Sequence, residues 1–258
     1  MIFANGWLKR LNPQITQMKQ EQVHHAGAGI LDRFSCACPL LLPLFFVICV
    51  IGGLTSACKR QAGPQSQTAA AIPERPVYKT LPANASPQLK QFIDAAVGQA
   101  GVTTGYDPSY VRLEYPGGDV PRETGVCSDV IVRAFRSVGI DLQKEIHEDM
   151  TRAFAEYPKK WGLSRPDRNI DHRRVPNLMT YFTRKGKAVS TTDKGADYLP
   201  GDLVTWDLGG GVDHIGIVSD MLPSPSADHC LIAHNVGAGA RVEDVLFRWK
   251  ITGHYRYF

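Results

Sequence analysis

The chain has 258 residues, of which 43% are hydrophobic and 21% charged, and its formal net charge is +4. These values are those of a globular protein that buries a core, with room for one good-sized domain and additional segments. The net charge is small and the basic residues are scattered, with no stripe of Lys and Arg interleaved with aromatics, so we predict no nucleic-acid partner.

Residues 1–58 are predicted to be an N-terminal tail followed by a lipoprotein-type signal or anchor. The run CPLLLPLFFVICVIGGL (38–54) is uncharged, and a basic flank and small residues surround it, which is typical of a secretory signal. The following LTSAC resembles the bacterial lipobox, although Thr55 stands where leucine is usual. The resemblance implies that Cys58 is lipidated. At about 17 residues the run is also at the lower limit for spanning a bilayer, so a single-pass membrane anchor is the alternative.

Residues 59–85 are predicted to be a flexible linker rich in Pro, Ala and Gln. They show neither the period of a strand nor that of a helix. The folded domain is therefore expected to begin near Ser86 and to occupy residues 86–258. With either kind of anchor, we expect this domain to lie outside the cytoplasm, tethered to a membrane of the bacterial cell envelope and facing the periplasm.

Four amphipathic helices are predicted first in the domain. Ser86 is a favourable N-cap and Pro87 a favourable first residue for the first helix, and Asp141 caps the third. Cys127 lies where a loop becomes the second helix, whose apolar residues recur at helical spacing. The predicted segments are SPQLKQFIDAAVGQAG (86–101), CSDVIVRAFRSVG (127–139), DLQKEIHEDMTRAFAEYP (141–158) and VPNLMTYFTRKG (175–186).

The remainder of the domain is rich in residues that favour strands. The runs are split by Gly, Pro and Asp, as expected at turns. They are DLVTWDL (202–208), HIGIVSD (214–220), HCLIAHNVG (229–237) and ITGHYRYF (251–258). Helices followed by strands predict an α+β domain in which the N-terminal helices pack on an antiparallel sheet.

Only two cysteines, Cys127 and Cys230, belong to the predicted domain. Either thiol would ordinarily be a small buried hydrophobe, and an exported domain also permits a disulfide between them. A zinc site built from Cys127, His214, His234 and Asp213 is a further alternative. No CxxC or HxxxH pair supplies the usual chelating spacing, so we predict neither a metal nor another cofactor.

The position of Cys127 favours a nucleophile. At a helix N-terminus the free N–H groups and the helix dipole lower a thiol pKa, and they also stabilise an oxyanion. His214 begins one strand run and His234 lies on the next, so antiparallel pairing places the two histidines side by side, one as base and one as its orienting group. Cys230 lies far along its strand from this pair and is predicted to be an inert core thiol.

The order of these motifs carries a family resemblance. Cys127 at a helix start, PGDLVTW (200–206), HIGIV (214–218) and IAHN (232–235) together resemble the NlpC/P60 superfamily of papain-like cysteine peptidases and amidases. Longer stretches, such as GYDPSYVRLEYPGGDVPRETGVCSDVIVRAFR (105–136), more closely resemble the DUF1287 family.

The resemblance implies a papain-like, NlpC/P60-type α+β fold with Cys127 as nucleophile, His214 as base and His234 as orienting residue. Val126 departs from the pattern, because an aspartate usually precedes the cysteine. The implied activity is hydrolysis of amide bonds, and an envelope location makes peptidoglycan stem peptides the expected substrate. The alternatives are a non-catalytic lipoprotein that binds the wall or a partner, and an acyltransferase or transglutaminase-like enzyme on the same fold.

Six further residues are candidates for substrate binding. Paired guanidinium groups bind carboxylates with two hydrogen bonds, which suits a carboxylate-bearing peptide, whereas a loop fixed by salt bridges is the simpler interpretation of the charged cluster. The tyrosines lie in a Gly/Pro-rich loop before the cysteine, where they either line the cleft or pack. The candidates are Tyr106, Tyr115, Asp129, His172, Arg173 and Arg174.

Overall fold

A computed structural model describes residues 76–258 of the chain. The predicted tail and signal (1–58), the lipidation site Cys58 and linker residues 59–75 lie outside the described residues. The helices are α1 (Pro87–Val97), α2 (Cys127–Ser137), α3 (Leu142–Ala153) and α4 (Val175–Arg184). The strands are β1 (Val77–Tyr78), β2 (Ala188–Val189), β3 (Leu203–Asp207), β4 (Asp213–Val218), β5 (Met221–Leu222), β6 (Ile232–Asn235), β7 (Ala240–Glu243) and β8 (Lys250–Tyr255).

The helices begin at the predicted caps. The Ser86 hydroxyl accepts a hydrogen bond from the Leu89 N–H at 3.1 Å, and the Asp141 carboxylate accepts one from the Gln143 N–H at 3.2 Å. These bonds satisfy N–H groups that have no partner within the helix. The C-terminal ends differ from the prediction: α1 ends at Val97 instead of near Gly101, and α3 passes into a 3₁₀ turn, Phe154–Glu156.

Six strands form an antiparallel sheet in the order β2-β8-β3-β4-β6-β7. The helices precede all six of these strands in the chain, so the predicted α+β class with an antiparallel sheet is confirmed. β4 and β6 are neighbours, with Ile217 opposite Ala233. This pairing brings the two predicted histidine motifs together at one end of the sheet.

Both faces of the sheet are buried. Ile215, Ile217 and Ala233 belong to a core cluster shared with the helices, which also contains Cys127. Trp206 and Ile232 belong to a second cluster on the opposite face, under the chain that follows β7. Burial on both faces explains why the strand runs are almost continuously apolar.

The predicted linker boundary is wrong at its C-terminal end. Val77 and Tyr78 form β1, which pairs antiparallel with Leu222 and Met221 of β5. The Lys79 N–H also donates to the Asp220 carbonyl at 2.7 Å. Val77 and Tyr78 thus form a short strand, although the composition of the surrounding residues is that of a linker. Strand β1 lies about nine residues before the predicted boundary at Ser86.

Across residues 76–258, none of the helices combines the length and the apolar character that crossing a bilayer requires.

Candidate functional site

Cys127 is the first residue of α2 and is only 4% exposed. Val126 before it is extended and ends the incoming loop. The Cys127 sulfur lies against the backbone N–H of Ile215, near the start of β4. Because Ile215 directly follows His214, the thiol is one peptide unit from the predicted base.

Burial raises the pKa of the Cys127 thiol to about 12, and the nearby Asp129 carboxylate acts in the same direction. The backbone N–H groups of Ile215 and Ser128 lower it by less. The expectation of a depressed pKa is therefore wrong, because removal of the sulfur from water outweighs the helix N-terminus. The resting thiol is protonated at neutral pH.

His214 and His234 are in direct contact across β4 and β6. The distance between Nε2 of His214 and Nδ1 of His234 is 2.9 Å, and both side chains are buried. Gly216 allows this approach, because a Cβ there would lie 2.6 Å from the Ile232 side chain and 3.2 Å from Cβ of His234. The predicted pairing of the two histidines is thus present in the structure.

Glu243 of β7 extends this chain of contacts. Its Oε2 lies 3.1 Å from Nε2 of His234, and Arg241 approaches its other oxygen at 4.0 Å. The sequence interpretation missed Glu243, because β7 follows a glycine-rich turn and has only four residues. The alternation ARVE was the available signal, since it places Arg241 and Glu243 on one side of a short strand.

Two tryptophans enclose the histidine pair. The centre of the His214 ring lies 5.7 Å from that of Trp206 and 5.8 Å from that of Trp249, which is also 6.2 Å from the His234 ring. Burial, with a smaller contribution from His234, lowers the pKa of His214 well below its ordinary value. The imidazole of His214 is therefore neutral at physiological pH.

The Nδ1 atom of His214 is buried and, among residues 76–258, has no hydrogen-bond partner. It therefore makes no hydrogen bond to Cys127 in this resting arrangement. His214 pairs with Trp206 of the second core cluster, whereas Ile215 faces the helices. The Cys127 sulfur thus contacts β4 at the peptide bond between His214 and Ile215, whose side chains lie on opposite faces of the sheet. Catalytic hydrogen bonds are often long or poorly aligned before substrate binds.

Asp129 and Arg173 bind each other rather than lining a cleft. The Arg173 guanidinium donates to both Asp129 oxygens, with the two shortest contacts at 3.0 Å, and both side chains are buried. Arg173 also donates to the carbonyls of Ser109 and Asp107 at 3.0 Å each. These contacts use most of its donors, so the predicted substrate cradle is wrong for Asp129 and Arg173. The alternative of a loop fixed by salt bridges describes them.

Arg174 has structural contacts, and His172 is buried. Arg174 pairs with Asp171 at 3.3 Å and lies 4.4 Å from the centre of the Trp161 ring. Burial lowers the pKa of His172 to about 3, so this side chain is neutral, and its Nδ1 has no partner in the described part of the chain.

The two tyrosine candidates lie in different places. Tyr115 packs its ring 5.2 Å from that of His147 on α3, with Arg168 above it. The contacts of Tyr115 are thus those of packing. Tyr106 packs, partly buried, against the second core cluster, on the side of the sheet that carries the histidine pair.

Comparison with known proteins assigns the chain to a family. The family model for DUF1287, described as a domain of unknown function, matches residues 93–257. The chain belongs to the DUF1287 family. The uncharacterized protein YijF of Escherichia coli (strain K12) is similar to the chain, with 58% identity over 165 residues, which cover 64% of the chain and 80% of YijF.

Asn235 of β6 is a further residue of the DUF1287 domain that the sequence interpretation missed. Its side-chain amide donates to the Gly105 carbonyl at 3.1 Å and to the Gly125 carbonyl at 3.0 Å. Its oxygen accepts from the Gly237 N–H at 3.1 Å. Asn235 thus joins the histidine-bearing strand to the loop that leads into Cys127. In the motif IAHN (232–235), only the histidine was interpreted as a functional residue.

The other thiol of the DUF1287 domain, Cys230, is fully buried in the second core cluster. Burial raises its pKa to about 11, and neither Cys127 nor Cys230 forms a disulfide. Within residues 76–258, no three His, Cys, Asp or Glu side chains are grouped so that they could hold a metal ion.

Proposed function

We propose that this protein is an exported, membrane-tethered cysteine hydrolase of amide bonds, with a papain-like fold of the NlpC/P60 type. One observation carries the proposal. A buried histidine pair, joined at 2.9 Å, leaves Nδ1 of His214 without a partner among residues 76–258, and the Cys127 sulfur contacts the backbone N–H of the next residue, Ile215. A buried nitrogen without a partner is costly, and a catalytic role is one of the few explanations for it.

The proposed reaction begins with the neutral thiol. As the Cys127 sulfur attacks the amide carbonyl carbon, its proton passes to Nδ1 of His214, and the carbonyl oxygen becomes an oxyanion. Free N–H groups at the start of α2 stabilise that oxyanion. His214 then protonates the leaving nitrogen, the C–N bond breaks and a thioester remains on Cys127.

Hydrolysis of the thioester completes the cycle. His214 takes a proton from water, and the resulting nucleophile attacks the thioester carbonyl. The C–S bond breaks, the acid is released and Cys127 regains its proton from His214. The raised pKa of Cys127 and the lowered pKa of His214 support this general-base route over a preformed thiolate-imidazolium pair.

The buried ion pair between Asp129 and Arg173 helps to position Cys127. The Asp129 carboxylate accepts the Val126 N–H at 2.7 Å as well as the Arg173 guanidinium. The Ser128 hydroxyl donates to the Arg173 carbonyl at 2.7 Å. These contacts hold the first turn of α2 from two sides, as a catalytic cysteine requires for precise geometry. In this proposal Asp129 and Arg173 are positioning residues.

The substrate class follows from location. The predicted lipobox at Cys58 and the linker would hold the domain at an envelope membrane, where amide bonds of peptidoglycan stem peptides are within reach. The resemblance to NlpC/P60 enzymes supports the same substrate.

The burial of Cys127 favours a second candidate, a non-catalytic protein that binds the wall or a partner. A thiol that is 4% exposed and has a pKa of about 12 suits a core side chain as well as a resting nucleophile. The two functions differ in turnover, and the following experiment separates them.

The full chain, purified in detergent, is incubated with defined muropeptides, and the products are identified by mass spectrometry. We expect cleavage of one amide bond, its loss in Cys127→Ala and its retention in Cys230→Ala. A product in which an added amine replaces water would identify an acyltransferase. Retained cleavage in Cys127→Ala would exclude the thiol mechanism, and binding without cleavage by the unmodified chain would favour the non-catalytic candidate.

A further inference from the structure

Glu243, His234 and His214 form a continuous chain of side-chain contacts. Oε2 of Glu243 lies 3.1 Å from Nε2 of His234, and Nδ1 of His234 lies 2.9 Å from Nε2 of His214. The hydrogen bond with His234 lowers the pKa of Glu243, so the side chain is a carboxylate at neutral pH. A carboxylate only accepts hydrogen bonds. Nε2 of His234 must therefore carry the proton that joins it to Glu243.

The remaining protons follow from the chemistry of neutral imidazole, which has one N–H and one lone pair. With its proton on Nε2, His234 offers a lone pair at Nδ1. The contact between the rings then requires an N–H on Nε2 of His214. The Nδ1 atom of His214 is left with a lone pair, and this is the buried atom without a partner in the described part of the chain.

We propose that Glu243 is a positioning residue, which fixes the tautomers of His234 and His214 so that Nδ1 of His214 can accept the proton of Cys127. The tautomer assignment rests on the contacts between the three side chains and on the charge of Glu243. The transfer of the Cys127 proton rests on the proposed function.

The surroundings of Glu243 favour this role over a simple surface ion pair. Arg241 approaches Oε1 only at 4.0 Å and its side chain is 50% exposed, so this ion pair is weak. Arg248 is the other cation that acts on the carboxylate, from the loop before β8. His234 is 1% exposed, and its Nε2 lies closer to the Glu243 carboxylate than the Arg241 guanidinium does.

Protonation of His234 would reverse the arrangement. A doubly protonated His234 donates from both nitrogens, so Nε2 of His214 would have to accept and Nδ1 would carry the remaining proton. His214 would then have no lone pair at Nδ1. The groups that face this pair are Glu243, Arg241 and Arg248, and the carboxylate is the one whose loss removes the acceptor from His234.

The test measures histidine tautomers in the full chain labelled with ¹⁵N at histidine, by long-range ¹H–¹⁵N correlation at pH 7.5. His214→Asn and His234→Asn assign the signals. We expect His214 and His234 both to carry the proton on Nε2. In Glu243→Leu we expect His234 to gain the Nδ1–H form and His214 to lose its single tautomer. Glu243→Gln should give a mixture, because its amide can accept or donate.

Asp244→Asn is the matched control, because it removes the neighbouring carboxylate, which lies 2.8 Å from Nε2 of His229. It should leave both tautomers unchanged. If His214 carries its proton on Nδ1 in the unmodified chain, or if the tautomers are the same in Glu243→Leu and Glu243→Gln as in the unmodified chain, the role of Glu243 is refuted.

A second readout is the rate at which iodoacetamide modifies Cys127. We expect Glu243→Leu to slow it roughly tenfold, the scale at which partners of functional histidines act, and Asp244→Asn to change it less than about twofold. Correct tautomers without any amide hydrolysis would refute the proposed function and leave the role of Glu243 standing. Amide hydrolysis together with tautomers that do not change in the Glu243 variants would support the proposed function and refute the role of Glu243.

Discussion

The Asp129 carboxylate and the Arg173 guanidinium form a buried ion pair, with two contacts of 3.0 Å, directly behind Cys127. The two residues are 44 positions apart, so the pair joins α2 to the 3₁₀ turn Asp171–Arg173. Arg173 further binds the carbonyls of Asp107 and Ser109. One ion pair thus fixes the helix start and the loop that precedes it.

Removal of the Asp129 charge should strongly destabilise the domain. Asp129→Asn leaves the Arg173 guanidinium buried without its counterion, which costs about 3–5 kcal/mol in comparable sites. The free energy of unfolding in urea measures the effect. Asp94→Asn is the control, because it removes the exposed partner of Lys90 and should cost less than about 1 kcal/mol. Equal small losses in both variants would contradict a structural role for the Asp129 pair.

His172 should make the domain sensitive to acid. Burial holds its pKa near 3, so between pH 3 and about 6.5 the unfolded chain binds a proton that the folded chain does not. Stability therefore falls as pH decreases, with a slope of about 1.4 kcal/mol per pH unit from this group. His172→Gln should remove this part of the slope in urea unfolding between pH 4 and 6.

His229 provides a control of opposite sign. Burial opposes protonation, but hydrogen bonds with Asp228 and Asp244 raise its pKa above the ordinary value. Its stabilising contribution is present at low pH and is lost as pH rises through the folded pKa. His229→Gln should therefore lower the stability by a constant amount below about pH 6.5 and leave the slope between pH 4 and 6 unchanged, whereas His172→Gln flattens that slope. The same change of slope in both variants would contradict the assignment of His172.

Asn235 should stabilise the loop that leads into Cys127. Asn235→Ala leaves the carbonyls of Gly105 and Gly125 without their donor, and each buried group without a partner costs about 1–3 kcal/mol. We expect a lower free energy of unfolding and faster amide hydrogen exchange in residues 103–107. Exchange that accelerates equally throughout the domain would show that Asn235 does not act on this loop.

The local signals in the sequence were reliable. Ser86 and Asp141 cap their helices as predicted, because a cap depends on residues within one turn. The contact between His214 and His234 also followed, since adjacent strands with histidines at corresponding ends bring them together. Short-range chemistry and strand order thus gave the class of the fold and the centre of the site.

Properties that depend on packing could not be predicted from the sequence. The burial that raises the pKa of Cys127 comes from the sheet and the loops around it, whereas the sequence shows only its helix N-terminus. The partner of Arg173 could not be named from the sequence, because Asp129 lies 44 positions away in the chain. Glu243 was missed because its role depends on the register of β6 and β7.

Export should depend on Cys58. We expect Cys58→Ser to abolish incorporation of a labelled fatty acid and to release or misprocess the protein. Lys59 follows the cysteine instead of aspartate, so the outer membrane is the expected destination in a cell with two membranes. Labelled palmitate with membrane fractionation tests this. No label on the parent protein, with fractionation unchanged in Cys58→Ser, would favour a plain membrane anchor.

The central claim is the proposal that Cys127 attacks the substrate carbonyl, and the most direct test is to locate the acyl group on the protein. The full chain is mixed with a defined stem peptide and quenched in acid, and the thioester is mapped by mass spectrometry. We expect the acyl mass on the peptide that contains Cys127, and its absence in Cys127→Ala but not in Cys230→Ala. An acyl group on Cys230, or continued hydrolysis in Cys127→Ala, would contradict the claim.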